Sequence, residues 1–205
     1  MTGESALLTA GPQPGGRPPA PGRLATVQAF INTHYDLVDN HGAEVLHSPA
    51  ALAGWLTRAG LVASAAATVT VTPADLTRTL TAREDLRGLA AAGDDRHART
   101  NALERLDHIA AGTRVEVGFT ATGPHFAPAP EAGIDGALGC LLAITAQAMA
   151  DGSWARLKVC PGDHCGWAFY DGSRNRTGRW CSMSVCGGRA KAKRHYRRRR
   201  RPREA

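Results

Sequence analysis

Apolar residues along this chain recur mainly at intervals of three and four, the spacing of one face of a helix. Leu24, Val27, Phe30, Ile31, Tyr35 and Val38 form the first such stripe and predict a helix from 24 to 38, stopped by the polar run from Asp39 to Gly42. Ser48-Pro49 and Thr72-Pro73 each set a capping hydroxyl before a first-turn proline. They open one helix ending at Gly60, with Leu52, Trp55 and Leu56 inward, and another over 73–91, with Leu76, Leu80, Leu86 and Leu89 inward. A fourth helix is predicted over 94–111 from Leu103, Leu106 and Ile109, closed by Gly112. The short β-branched tract Val69 to Val71 reads either as a brief strand or as the approach to the third helix.

At Arg114 the period drops to two: Val115, Val117 and Phe119 alternate with Arg114, Glu116 and Gly118, as in a half-buried strand. A turn at Thr122 to Pro124 returns a second strand through His125, Phe126 and Ala127. Residues 133–150 are alanine-rich and nearly all apolar, which places a helix at the centre of the domain. The pattern as a whole predicts an α+β fold: a mainly helical domain with a small β-hairpin over residues 24–155, then a separate small module over 156–200 and a tail at 201–205. Residues 1–23 are rich in Gly, Pro, Ala and Thr without an apolar period and are predicted as a disordered leader.

Composition supports helix packing by small residues, because 43% of the chain is hydrophobic while only 5% is aromatic. The net charge of +7 hides a division. Residues 1–155 carry ten Lys and Arg against fifteen Asp and Glu, net −5; residues 156–205 carry fifteen against three, net +12. Such a contrast points to a polyanion contact confined to the basic end. The sequence lacks an uninterrupted apolar run of membrane-span length and a basic n-region leading into an apolar one, so a cytoplasmic location without membrane contact is expected.

The basic end contains two matched cysteine pairs, Cys160 with Cys165 and Cys181 with Cys186, each C-x4-C, separated by fifteen residues. In a reducing compartment that spacing reads as four thiolate ligands for Zn2+ before it reads as disulfides. Four ligands close the coordination sphere, which makes the ion structural and leaves no open position for catalysis. His164 is a minority alternative ligand, and Cys140 is expected as a buried small hydrophobe. The spacer GWAFYDGSRNRTGRW predicts a β-hairpin in which Trp167, Phe169 and Trp180 serve as mini-core or, less often, as a base-stacking surface. Its tip carries Arg174, Arg176 and Arg179. After Cys186 a helix is expected, with Arg189, Lys193, Tyr196 and Arg200 on one side and Lys191, Arg194 and Arg198 on the next.

The segment CPGDHCGWAFYDGSRNRTGRWCSMSVCGGRAKAKRHYRRR resembles the CGNR zinc finger, whose pattern is a cysteine pair, an aromatic and Asp-containing hairpin with SRN, then WCSM, CGNR and a basic helix. Here Gly188 stands where that family has Asn. Upstream, Phe30-Ile31-Asn32-Thr33 is similar to the FVNT-like motif of the ABATE domain that accompanies the finger. The resemblance implies a treble-clef-like four-cysteine finger in a stress-responsive bacterial transcription regulator, with the finger as its DNA-binding part. Arginine outnumbering lysine 22 to 3 is compatible with a GC-rich bacterial genome.

Together these readings predict a DNA-binding regulator and not an enzyme. Phosphate contacts are expected from Arg174, Arg176, Arg179, Lys191, Lys193, Arg194, Arg197 and Arg198, and base-edge contacts from Arg189 and Lys193. So small a finger buries little groove surface, and a homodimer or assisted binding is expected. An RNA-binding or ribosome-associated zinc protein is the alternative. Asn32 and Thr33 either line a ligand pocket of the N-terminal domain, open to a small molecule or protein signal, or make capping and buried hydrogen bonds. His41, His47, His97, His108 and His125 show no metal spacing among themselves, and no Ser-His-Asp pattern, phosphate loop or carboxylate pair is assigned.

Overall fold

Caps and apolar stripes set the helices close to where the sequence signals them. The structure, a computed structural model, describes residues 13–35, 44–62, 69–121, 123–129 and 131–200. The leader's residues 1–12, residues 36–38 of the expected first helix, His41 and the tail 201–205 lie outside them, whereas residues 32–35, expected as helix, are described and are not helical. The helices of the N-terminal region are α1 (Leu24–Ile31), α2 (Pro49–Arg58), α3 (Pro73–Ala92), α4 (Arg96–Ala110) and α5 (Gly133–Ala150). Ser48 caps α2 by accepting from the Ala51 amide, and Thr72 with Asp75 forms a reciprocal capping box on α3. The tract 69–71 forms no strand.

Strands β1 (Val115–Thr120) and β2 (Gly123–Pro128) pair antiparallel, with Val115 opposite Pro128, Val117 opposite Phe126 and Phe119 opposite Pro124. Beside them runs α5, whose face of Ile134, Ala137, Leu138, Leu141, Ile144 and Ala148 is buried against α1, α3 and α4. The hairpin approaches closely because α5 offers glycines: a Cβ on Gly139 would come within 2.7 Å of Val115. With 18 residues and a mean hydropathy of 1.4, α5 is long and apolar enough to cross a membrane, yet more than half of it is buried inside the fold. Cys140 on this helix is fully buried, as expected, and burial pushes its thiol pKa up.

The second sheet departs from expectation. Strands β3 (Leu157–Val159) and β4 (Ala168–Tyr170) pair antiparallel around the first cysteine pair, so the hairpin encloses that pair and does not lie in the spacer beyond it. Within the described residues no strand forms at Trp180. The finger's hairpin also lacks independence, since its edge strand is docked on α1. Asn32 Nδ2 donates to the Ala168 carbonyl at 2.8 Å, and Asn32 Oδ1 accepts from the Ala168 amide at 2.8 Å. The carboxamide thereby pairs with the backbone N–H and C=O of one residue as a neighbouring strand would. Gln28 Nε2 adds a bond to the same carbonyl at 3.1 Å. Because Asn32 leaves the helix to make this contact, α1 ends at Ile31, and Thr33 Oγ1 closes it by donating to the Phe30 carbonyl.

Residues 13–22, expected without order, form a strap over both parts. Gln13 Oε1 accepts from Gln28 Nε2 at 2.9 Å and from the Trp167 indole at 3.2 Å. Arg17 donates to the carbonyls of Cys181 (2.9 Å) and Trp180 (3.0 Å) while its guanidinium lies 4.8 Å from the centre of the Phe169 ring. From α3, Arg87 reaches the carbonyls of Ile31, His34 and Gly166, and so ties α1 to the finger at a second point. The link is polar and made of buried and half-buried groups.

Replacing Asn32 with Ala orphans the buried Ala168 amide and is expected to lower stability by ~2 kcal/mol. Denaturant unfolding followed by tryptophan fluorescence measures it, and a loss below ~0.5 kcal/mol would show that the two parts are not coupled through this residue.

Candidate metal centre and basic groove

The pairing of β3 with β4 folds the first C-x4-C into a tight turn with both thiols inward. The Cys160 amide donates to the Trp167 carbonyl at 2.9 Å, and the Cys165 amide to that of Gly162 at 3.1 Å. Gly162 lets the turn pack closely on the second pair, since a Cβ would sit 3.2 Å from the Cys186 sulfur. Of the second pair, Cys181 precedes and Cys186 lies within a π-helical turn, Met183–Gly187, which Ser182 caps by accepting from the Val185 amide. That turn runs directly into α6 (Gly188–Arg200). Gly188 is the first residue of α6 in ordinary helical conformation, and a Cβ there would meet only the Met183 carbonyl at 3.8 Å. It neither caps the helix nor fixes the turn, so its cost against the family's Asn is one of helix propensity, a few tenths of a kcal/mol.

Cys160, Cys165, Cys181 and Cys186 converge with all four sulfurs within 4.8 Å of one another and all four residues buried. Cys165 Sγ lies 3.6 Å from Cys181 Sγ, and Cys181 Sγ lies 3.7 Å from Cys186 Sγ. Sulfurs held ~2.3 Å from one tetrahedral ion stand about 3.8 Å apart, whereas a disulfide requires about 2.05 Å. The donor set and its spacing therefore fit a closed four-sulfur metal site. His164, the minority alternative, is exposed and outside the cluster.

Electrostatics within the cluster point the same way. Sulfur contacts from Cys165 and then Cys181 push the Cys160 thiol down. Its contact pushes Cys165 up to about 12 and raises Cys181 as well, while burial and then the Cys160 charge raise Cys186. Thiolates this close repel one another unless a cation is present to balance their charge. A divalent ion supplies that balance and displaces the remaining protons.

Beyond β4, the arginine-bearing loop is organised by a buried carboxylate that the sequence reading took merely as part of a hairpin turn. Asp171 is fully buried; it accepts from Lys158 Nζ at 2.8 Å, from the Ser173 hydroxyl at 2.6 Å and from the Gly178 amide at 2.7 Å. Burial alone would raise its pKa, but the Lys158 ammonium, the Ser173 hydroxyl and amide, and the Gly178 amide outweigh it and hold the carboxyl well below the usual range. Lys158 also donates to the carbonyls of Arg176 and Gly178. Gly178 has to be glycine, because a Cβ would lie 2.7 Å from the Asp171 carboxylate. Arg174, Arg176 and Arg179 are thus displayed, exposed, from a loop pinned at its base.

A cleft of about 660 Å³ opens between the first cysteine turn and α6. Five of the nine cations expected to contact nucleic acid line it: Arg189, Lys193, Arg194, Arg197 and Arg198. The opposite wall carries Asp163 and His164, and Trp180 contributes a half-buried ring. Arg179 stacks 5.3 Å from the centre of that ring, which joins the loop to the cleft. Lys191 is exposed elsewhere on α6, and Arg174 and Arg176 lie outside the lining. Lys193 is paired with Asp163 across the cleft. Of the aromatic residues, Trp167 and Phe169 are buried as the finger's core together with the cysteines.

Asn32 and Thr33 are buried with partners inside the chain. Asn32 is spent on Ala168, and Thr33 Oγ1 accepts from Arg83, itself paired with Glu44 through two 2.7 Å contacts. Sequence reasoning missed Gln13, Arg17, Arg87 and Lys158, since each acts singly, Gln13 on the Gln28 and Trp167 side chains and the others largely on backbone carbonyls, and leaves no spacing signal.

Two outcomes follow from this geometry. Protons compete with the metal for sulfur, so metal content is expected to fall as pH drops from about 7.5 to about 5, read by a chromogenic chelator; constant content would contradict a thiolate site. Asp171→Asn is expected to cost ~2 kcal/mol at neutral pH. Because the folded carboxyl has the lower pKa, that contribution is present above the ordinary value of about 3.9 and is lost as pH falls below it, so wild type and variant converge in acid.

Comparison with protein families agrees with the two-part organisation. The CGNR zinc finger profile matches residues 156–199. The ABATE profile, described as "Putative stress-induced transcription regulator", matches residues 13–152, more than half of the chain and from the first residue of the strap onward. No curated protein matches the chain. The chain belongs to the ABATE family and carries a CGNR zinc finger behind its ABATE domain.

Proposed function

We propose that this chain is a cytoplasmic, bacterial DNA-binding transcription regulator in which Zn2+, held by Cys160, Cys165, Cys181 and Cys186, fixes α6 and the arginine loop as one polyanion-binding surface. The observation that carries this reading is the cleft, where five cations of α6 face a single carboxylate, Asp163, beside a four-sulfur site. Thiolates stay reduced in the cytoplasm, and a four-sulfur Zn2+ site is coordinatively closed, which supports a structural role for the ion. Helix α6 has 13 residues and spans about 20 Å, the length of roughly six base pairs of duplex.

Phosphate contacts fall to Arg174, Arg176, Arg179, Lys191, Arg194, Arg197 and Arg198, which position the module, while Arg189 and Lys193 at the start of α6 reach base edges once Lys193 leaves Asp163. The ABATE domain acts as the sensing or partner-binding part. Its influence on the finger runs through Asn32, Gln28, Arg87 and the strap, because these are the groups that hold β4 and the second cysteine turn in place.

Fluorescence anisotropy with a duplex oligonucleotide tests the reading. With about six phosphates engaged, log K is expected to fall against log salt with a slope near −5. The double variant Arg197→Ala with Arg198→Ala should weaken binding similarly across sequences and make the slope shallower by about two. Salt-independent affinity would reject the proposal. Displacement of duplex by single-stranded or structured RNA at lower concentration would transfer the surface to RNA.

A further inference from the structure

The β1–β2 hairpin runs past the edge of α5 and carries an apolar stripe into solvent. Val115 and Pro128 rest against Gly139 and Gly136 of α5, but farther along the strand Val117 is 57% exposed and Phe119 is 81% exposed. Residues directly opposite in an antiparallel pair share a face, so Val115, Val117 and Phe119 form one apolar surface with Pro128, Phe126 and Pro124. Alternation of this kind normally marks the covered side of a sheet.

The two edges of the hairpin differ. On β2 the Phe126 carbonyl accepts from Arg23, and this strand lies against α5. On β1, six residues long, the outer edge has no partner strand among the described residues. Natural edges of that length are usually blunted by Pro, Lys or a bulge. The residues of β1, Val-Glu-Val-Gly-Phe-Thr, include none of these. A two-stranded ribbon is marginal alone, and more strands with a shared apolar face stabilise it.

We infer that the outer edge of β1 binds a second copy of this chain, β1 against β1 in antiparallel register about a two-fold axis through Val117. The pattern is self-complementary in that register. Val117 faces Val117 of the other copy and Val115 faces its Phe119, in both directions. Glu116 falls opposite Gly118 on the reverse face, so no like charges stand directly opposed. The result is a four-stranded sheet whose stripe is continuous, and the exposed Phe119 of each copy lies beside the Val115 seated on Gly139 of the other. Closed two-fold pairing through one self-complementary patch is the commonest route to a dimer. It also supplies the second finger that a small DNA-contacting module needs, although the pairing does not depend on DNA.

Sedimentation of the metal-loaded full chain, without nucleic acid, tests this. The expected mass is twice the chain's 21.6 kDa. Val117→Lys places two ammonium groups on the axis, and Phe119→Lys removes the largest exposed ring; each is expected to give the single-chain mass. Both positions are solvent-exposed in one copy, so circular dichroism and metal content should match wild type. Val117→Cys is expected to cross-link in the dimer on mild oxidation, at a site no chain could link by itself. A wild-type protein that sediments as one chain at high micromolar concentration, or lysine variants that stay dimeric, would overturn the inference.

Discussion

Four sulfurs drawn to one point are the constraint on which the finger depends. Thiolates packed this closely repel one another unless a divalent cation is present, and the finger's own hydrophobic cluster is too small to hold residues 156–200 instead. Trp167 and Phe169 are the large apolar groups buried with the cysteines, while Leu157 is buried in the core of the helical domain. The ion's contribution in small zinc peptides, ~10–16 kcal/mol, equals the whole stability of an ordinary domain. Everything displayed outward, from the pinned arginine loop to α6, inherits its position from that cluster.

The cluster is held in turn by the helical domain. Polar groups make the junction: one carboxamide on the backbone of Ala168, one guanidinium on the carbonyls of Trp180 and Cys181, another on Gly166. Such bonds are directional, and they lose their worth with displacements of an ångström or less. A hydrophobic contact would tolerate sliding. The ABATE domain and the finger therefore meet in one defined orientation, and any event that moves α1 or the strap is felt at the second cysteine turn. The Asn of the FVNT-like motif finds its physical reason here, since neither a longer nor a charged side chain can offer a donor and an acceptor to Ala168 together.

Much of this was legible in the order of residues. Ser48-Pro49, Thr72-Pro73 and the cysteine spacing each encode a local event, and the helices, the β1–β2 hairpin and the four ligands are found where those signals place them. The finger's own hairpin was misplaced because Phe169 and Tyr170 do belong to a strand, but their partner is Leu157–Val159 upstream and not the arm ending at Trp180. What decides it is Asp171, whose burial and three partners turn the following residues into a pinned loop. The strap was illegible for a related reason. Gln13 and Arg17 act singly on groups more than 150 residues away, and Gly- and Pro-rich surroundings hide them from any test of periodicity.

X-ray absorption at the metal edge of the loaded protein tests the central claim most directly, because it counts and ranges the ligands without reference to function. Four sulfur scatterers at about 2.3 Å around a single zinc per chain are expected. A shell containing nitrogen or oxygen, or fewer sulfurs, would contradict a closed site built from Cys160, Cys165, Cys181 and Cys186, and with it the anchoring of the basic surface.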